Sequence, residues 1–198
     1  MISDDCLRIK TDSNIYSAAS TSSAFSLVQA VSSWMAVDDS LTYALTATQI
    51  YKFTSSNSSY TLIYTFTNNT FTTAASIYSY GTRIMVSETT SSSVVGFGFS
   101  ESGNALTELL AHSSTGYDSA PTVHVSPQVT KMLIYGLKSG AASTSFFYID
   151  FSTFTLRDLT FPSYSIFDPA NLKIILEEDW MYVRQLQSGL QTFSGGNQ

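Results

Sequence analysis

The sequence contains little charge, one cysteine, two histidines and no long apolar run. Only 12% of the 198 residues are charged, and nine Lys and Arg residues stand singly against fifteen Asp and Glu residues, for a net charge of −6. Because there is no basic stripe to contact phosphates, we do not expect nucleic-acid binding. The single cysteine, Cys6, excludes a disulfide within the chain and is expected to be a small buried side chain.

Membrane insertion is not predicted, because no apolar run approaches the roughly 18 residues of a membrane helix. The first six residues contain neither a basic segment nor an apolar one, so they do not resemble a signal peptide. We therefore expect either an intracellular chain or a chain that lacks the natural start of its precursor. The localisation stays open, with an extracellular or surface assembly favoured.

Small hydroxyl side chains and aromatic side chains are abundant instead. The chain has 34 Ser and 24 Thr, together with 12 Tyr and 13 Phe, and 43% of its residues are hydrophobic. This apolar content excludes a disordered chain. Thr and the aromatic residues favour strands, so we expect the hydroxyl groups to face solvent on a β-structure.

A motif of about 44 residues recurs along the chain. Its opening positions, Trp34, Ile77, Val123 and Ile166, are separated by 43, 46 and 43 residues. A nearly constant period of this size is typical of an array whose repeats stack to bury their apolar faces.

Each repeat is predicted to be an antiparallel meander of four short strands. Runs of four to seven residues rich in β-branched and aromatic types alternate with turn segments. The full repeats span 32–73, 74–119, 120–162 and 163–198, within a single domain of residues 1–198, and a partial repeat at 1–31 lacks its opening strand. Residues 172–176 contain helix formers, but their place in the repeat predicts a strand.

These repeats resemble the blades of a β-propeller, in which four-stranded sheets pack radially around a channel. The resemblance implies an all-β, β-propeller-like array with one partial and four full blades; a β-sandwich is the alternative. No Trp-Asp, Gly-His or kelch-type glycine signature points to a particular propeller family. The missing strand is expected from a longer precursor of which this chain is a fragment, from a partner or second copy, or from the chain's own ends.

No catalytic, cofactor or metal-binding residues are predicted. His124 lies between two valines and is expected to be structural, whereas His112 is expected in a loop. There is no Gly-x-Ser-x-Gly elbow, no His-Glu-x-x-His and no cysteine pair. Lys138 lacks the glycine spacing of a phosphate-binding loop.

The acidic and glycine-rich segments are interpreted as structural. Asp4-Asp5, Asp38-Asp39 and Glu177-Glu178-Asp179 lack the spacing of a calcium loop, and the last two are predicted to be turns with solvated side chains. Gly96-Phe97-Gly98 predicts a bulge or a close backbone approach and not a nucleotide site.

Tyrosines at strand positions are expected to pack between sheets, although exposed ones could stack on sugars or anchor protein contacts. They are Tyr16, Tyr51, Tyr64, Tyr78, Tyr80, Tyr135, Tyr148, Tyr164 and Tyr182. Two sequons in turn segments, at Asn57 and Asn68, are candidate glycosylation sites in a secreted protein.

A regular architecture without a convergent set of catalytic residue types predicts a non-enzymatic structural or interaction module. It would present a Ser/Thr/Tyr-rich surface to protein or glycan partners, within a larger assembly, and need no cofactor. One alternative is a glycan-active enzyme whose carboxylates come from several blades. Another is a self-assembling extracellular or virion fibre subunit, favoured by low charge and an open sheet edge.

Overall fold

The structure is a computed structural model that describes residues 8–11, 14–18, 20, 22–24, 26–30, 33–38, 41–54, 60–141, 144–153, 155–159, 172–185 and 193–194. This part of the chain is all-β and contains no helix, so it has no helix that could span a membrane. The strands are β1 Arg8–Lys10, β2 Asn14–Ser17, β3 Ser26–Ala30, β4 Ser33–Asp38, β5 Leu41–Leu45, β6 Gln49–Thr54, β7 Thr61–Thr65, β8 Ala75–Tyr80, β9 Arg83–Thr89, β10 Ser93–Ser102, β11 Ala105–Thr115, β12 Thr122–Val125, β13 Lys131–Leu137, β14 Thr144–Asp150, β15 Thr155–Leu159, β16 Leu172–Leu176, β17 Met181–Gln185 and β18 Phe193–Ser194.

The strands form five antiparallel sheets, each a meander in chain order. The second, third and fourth sheets have four strands each, in the orders β4-β5-β6-β7, β8-β9-β10-β11 and β12-β13-β14-β15. The first and fifth sheets have three described strands each, β1-β2-β3 and β16-β17-β18. The predicted all-β, propeller-like class with four-stranded antiparallel repeats is confirmed, as is the strand at 172–176.

Several predictions concern positions outside the described residues. They are the repeat opening at Ile166 and the residues Asp4, Asp5, Cys6, Asp39, Asn57 and Tyr164. These predictions stay as they were.

The chain divides into two compact units. The first comprises residues 1–88 and 99–108, and the second comprises residues 89–98 and 109–198. The boundary passes through the strands of the third sheet. The single domain predicted from the sequence stays a prediction.

The core of the first compact unit is built from inner strands and aromatic rings. Tyr43, Ala44 and Leu45 on β5 are fully buried, because an inner strand is covered on both faces. Phe66 packs edge-to-face on Phe71 at 4.7 Å between ring centroids. The rings therefore fix the segment that follows β7.

The core of the second compact unit joins the fourth and fifth sheets. Leu133, Tyr135 and Phe146 of the fourth sheet share one buried cluster with residues of the fifth sheet. Those residues are Leu172, Ile174, Leu176 and Val183. Strand β16 alternates buried and exposed side chains, so its second face is turned away from this core.

Glycines in β10 allow the close approach that the sequence predicts. A Cβ atom on Gly98 would overlap the ring of Phe151, and one on Gly96 would lie 2.9 Å from the sulfur of Met132. Gly98 therefore needs a residue without a side chain, whereas at Gly96 the flexible end of Met132 would have to shift, and the prediction of a close backbone approach is confirmed.

The prediction that His112 lies in a loop is wrong. His112 belongs to β11, which continues to Thr115 beside the ten-residue strand β10. The following Ser113-Ser114-Thr115 looks like turn chemistry in the sequence, but β11 continues through it beside its long partner strand, and Ser114 is buried. Residues of this type accept strand conformation when a partner strand is available.

Candidate functional site

Three turns of the second compact unit are held together by backbone hydrogen bonds. The N–H of Tyr117 donates to the carbonyl of Ser92 at 3.1 Å, and the N–H of Ser139 donates to the carbonyl of Gly116 at 2.8 Å. The turns at 90–93, 115–119 and 138–141 therefore form one continuous surface.

This surface is lined by exposed hydroxyl groups, and we call it the hydroxyl platform. Its members are the exposed side chains of Thr90, Ser91, Ser92, Thr115, Ser119 and Ser139. The Thr90 hydroxyl accepts a hydrogen bond from the N–H of Ser93 at 3.1 Å and so fixes its own turn. This bond holds the Thr90 hydroxyl in place before a partner arrives.

Glycines shape two of the three turns. Gly116 has φ of 83° and Gly140 has φ of 75°, in the left-handed region that side chains rarely adopt. A Cβ on either glycine would meet no other atom within 4 Å, so the requirement comes from the backbone conformation and not from crowding.

Lys138 lies at the start of the third turn and is partly buried. Its Nζ is 4.7 Å from the ring centroid of Phe147 and 5.4 Å from that of Tyr117. Tyr117 is 3% exposed and packs on Gly136, where a Cβ would come within 2.8 Å of the ring. The two ring faces attract the ammonium group and hold a positive charge at this turn.

His112 lies beside the same rings. Its ring centroid is 5.4 Å from that of Phe147, and its Nε2 atom is buried without a hydrogen-bond partner in the described structure. Burial, and then the charge of Lys138, lower the pKa of His112, whereas Asp158 opposes this effect. The imidazole is therefore neutral at pH 7, and the fixed charge comes from Lys138.

Four glutamates bind neighbouring side chains instead of extending freely into solvent. In the first compact unit, the carboxylate of Glu101 binds both Tyr43 and Lys52. There too, the Tyr64 hydroxyl donates to Glu108 at 2.6 Å. Burial, the hydrogen bond and the charge of Glu108 raise the pKa of Tyr64 to about 12.

Glu88 makes a similar contact near the start of the third sheet. Its carboxylate accepts a 2.7 Å hydrogen bond from the N–H of Thr72 and a further bond from the Thr72 hydroxyl. Glu88 is buried on β9, so the bonds satisfy an otherwise costly charge.

Glu178 in the second compact unit departs from its predicted role as a solvated side chain. The predicted turn at 177–179 is present, but Glu178 is partly buried and accepts hydrogen bonds from the N–H of Gln128, at 2.7 Å, and from the Thr130 hydroxyl. Between these two donors, Val129 is buried with φ of 55°, a strained value for a β-branched residue. The carboxylate thus clamps a strained turn, which the residue types did not indicate.

His124 occupies a different part of the second compact unit. It lies on β12, half-buried, and stacks on Tyr135 with 5.7 Å between centroids and 6° between planes. Burial lowers its pKa. The structure therefore places the two histidines in different sheets and in different surroundings.

The predicted tyrosines have varied environments. Tyr80 is 53% exposed, Tyr135 is buried, and Tyr51 donates a 2.7 Å hydrogen bond to Gln49. Tyr117 and Lys138, which form the cation–π contact at this surface, were not predicted to be site residues. The only sequence feature near them that indicated a turn was a glycine in each turn, Gly116 in 115–119 and Gly140 in 138–141.

Asn68 of the second sequon is exposed, in the bend that follows β7. Thr70 is exposed as well. The buried rings of Phe66 and Phe71, on either side of the sequon, pack on each other and hold the segment. The glycosylation at Asn68 stays a prediction.

The residues that the structure describes contain no group of three His, Cys, Asp or Glu residues that could hold a metal ion. No protein-family model matches the chain, and no curated protein matches it.

Solved structures do resemble it. Hydrazine synthase from Kuenenia stuttgartiensis matches with a TM-score of 0.50 at 13% identity, over 93% of this chain and 54% of that one. TolB from Acinetobacter baumannii matches with a TM-score of 0.42 at 12% identity, over 93% and 50%. A protein of unknown function from Desulfotomaculum acetoxidans gives 0.44 at 13% identity, over 99% and 69%. The chain thus spans about half the length of the first two, and at these identities the similarity to hydrazine synthase concerns the fold alone.

Proposed function

We propose that the chain is a non-enzymatic interaction module of the β-propeller type, which binds a polar protein or glycan partner on the hydroxyl platform. The observation that carries this proposal is the set of exposed Ser and Thr residues on three turns joined by backbone hydrogen bonds, together with the ammonium of Lys138 held by two rings at the third turn. Hydroxyl groups both donate and accept hydrogen bonds, and Lys138 adds a fixed donor with positive charge. These are the groups that a sugar or a polar protein surface requires.

The contacts of four glutamates support a binding role over glycan hydrolysis by these residues. A glycosidase needs two carboxyl groups that flank the bond to be broken. Glu88, Glu101, Glu108 and Glu178 are instead engaged by hydroxyl, ammonium or amide donors of this chain. The glycan-active enzyme and the self-assembling fibre subunit remain alternatives.

The propeller architecture also motivates a proposal about assembly. Among its described residues the first sheet has three strands, which fit a blade without its opening strand, and the free edge of a sheet readily accepts another strand. A partner, a second copy, further chain of a precursor or the chain's own ends would supply that strand.

Binding of the purified protein to a glycan array and to immobilised proteins tests this function. We expect wild-type protein to bind a defined subset of polar ligands and Lys138→Met and Ser139→Glu variants to lose at least tenfold in affinity. Ser102→Glu, which changes an exposed hydroxyl residue on another strand, is the matched control and should bind normally. Glycan turnover that disappears on a glutamate substitution would overturn the proposal and favour the enzyme.

A further inference from the structure

The second face of the fifth sheet carries three rows of cross-strand neighbours. Lys173 pairs in register with Arg184, and Ile175 pairs with Tyr182. The third row follows at the hairpin tip, where the N–H of Glu177 donates to the carbonyl of Trp180 at 3.0 Å. Side chains two residues apart on a strand share a face, so the three rows lie on the side away from the buried cluster of Leu172, Ile174 and Leu176.

The exposure of these rows is unusual for a polar chain. Ile175 is 50% exposed and Trp180 is 51% exposed, whereas most large apolar residues of the described chain are buried. Half-exposed aliphatic and aromatic side chains beside an Arg are the composition of a protein interface and not of an ordinary surface.

The charges of the face are also unbalanced within the chain. Lys173 and Arg184 are exposed, stand directly opposite each other, and form no ion pair within the described residues. Like charges directly opposite on neighbouring strands are destabilising. An acidic group from elsewhere would relieve this repulsion, and Glu177 on the same face has the required charge.

The face is complementary to itself. Ile175 stands two residues from Lys173 and two residues from Glu177, about 7 Å from each along the strand. A rotation of 180° about an axis that runs across the strands at Ile175 would place Lys173 over Glu177 of a second copy. The same rotation would place Arg184 over Trp180 of that copy, a favourable cation–π arrangement, and would bring the two Ile175 side chains together.

We infer that a second copy of this chain docks on the face formed by Lys173, Ile175, Glu177, Trp180, Tyr182 and Arg184, as an isologous dimer. In a two-fold interface of this kind each favourable contact occurs twice. The face does not include the hydroxyl platform, so the dimer and the proposed ligand binding are independent of each other and can be tested separately.

Reversing the charges one at a time and together tests this dimer. In sedimentation velocity over a concentration series we expect wild-type protein to dimerise. Lys173→Glu and Glu177→Lys should each weaken association at least tenfold, because each creates two like-charge contacts. The double variant should restore the dimer, and so should an equimolar mixture of the two single variants.

Two further variants separate an interface effect from a folding effect. Ile175→Asp should give a monomer with an unchanged far-ultraviolet spectrum, because this side chain is half exposed in the single chain. Arg157→Glu, which reverses an exposed charge on β15, should dimerise as wild type. A wild-type monomer at every concentration would overturn the inference, as would a dimer that ignores the single reversals or is not restored by the double one.

Discussion

The carboxylate of Glu178 accepts a 2.7 Å hydrogen bond from the backbone N–H of Gln128. Glu178 sits at the tip of the β16–β17 hairpin, and Gln128 sits in the turn between β12 and β13, so this bond joins the fourth and fifth sheets. Burial of Glu178 raises its pKa, but hydrogen bonds from Thr130, Gln128 and Ser126 outweigh that effect, and the net pKa is lowered.

Replacing Glu178 with Gln should destabilise the protein by about 1 kcal/mol at pH 7, below the usual range for a charged hydrogen bond because the site is partly exposed to solvent. A lowered pKa in the folded state stabilises the protein above the unfolded-state pKa, near 4.5, and that contribution disappears as the pH falls through the folded-state value. The difference between Glu178→Gln and wild type in urea unfolding should therefore shrink below pH 4.5. Asp179→Asn on the same turn is the control, and an equal effect there would contradict the clamp.

Replacing Gly98 with Ala should cost about 3 kcal/mol, the upper end of the usual range for overpacking, because the added methyl group would overlap the ring of Phe151. Gly103→Ala, at a position with φ of 64° and open space, should cost only about 1 to 2 kcal/mol. Urea unfolding measures both. The Gly98→Ala/Phe151→Ala double variant should lose less stability than the sum of the two single losses, and simple additivity would disprove the contact.

Stability should fall as the pH is lowered from 7 to 5. Burial lowers the pKa of both His112 and His124, so the unfolded chain takes up protons first as the pH drops below 6.5. The slope is at most about 1.4 kcal/mol per pH unit for each histidine. In thermal unfolding, the stability of a His112→Gln/His124→Gln variant should depend less on pH over this range. An unchanged slope would assign the effect to other groups.

The charge of Lys138 should be visible in the titration of His112. Lys138→Met should raise the pKa of His112, and Asp158→Asn should lower it, because the two charges act on the imidazole in opposite directions. Proton NMR resolves the imidazole signals easily, since the chain has only two histidines. The pKa of His124, which is lowered by burial alone, should not move in either variant.

Asn68 should carry a glycan when the chain is expressed through a secretory pathway that glycosylates sequons. Both Asn68 and Thr70 are exposed, and the bend that holds them is accessible in the folded chain. Glycosidase treatment should shift the gel mobility of wild-type protein, and Asn68→Gln should remove a glycan. An identical mass before and after treatment would contradict this prediction.

Local sequence patterns predicted most of the fold. The antiparallel meanders and the strand at 172–176 are as expected from the β-branched and aromatic runs, and the Gly96-Phe97-Gly98 segment makes the expected close approach. His112 was misplaced because a short Ser/Thr segment has the same composition in a turn and in a strand. Only the neighbouring strand β10 decides between the two.

The candidate site was much less predictable. Tyr117, Lys138 and Phe147 come from a loop, a strand end and a strand interior, with no shared motif between them. The clamp by Glu178 was missed for the same reason, since Gln128 lies 50 residues earlier in the chain.

The sequence by itself determined the repeat of about 44 residues, the β-class and the order of strands within each sheet, because these depend on local alternation and turn chemistry. Tertiary structure alone decided which side chains meet: the Lys138 ammonium with two rings, and the glutamates with hydroxyl groups far away in the chain. It also decided which rows lie on the second face of the fifth sheet. Contacts between residues far apart in the chain depend on register and on the packing of one sheet against another, and neither is encoded in a local pattern.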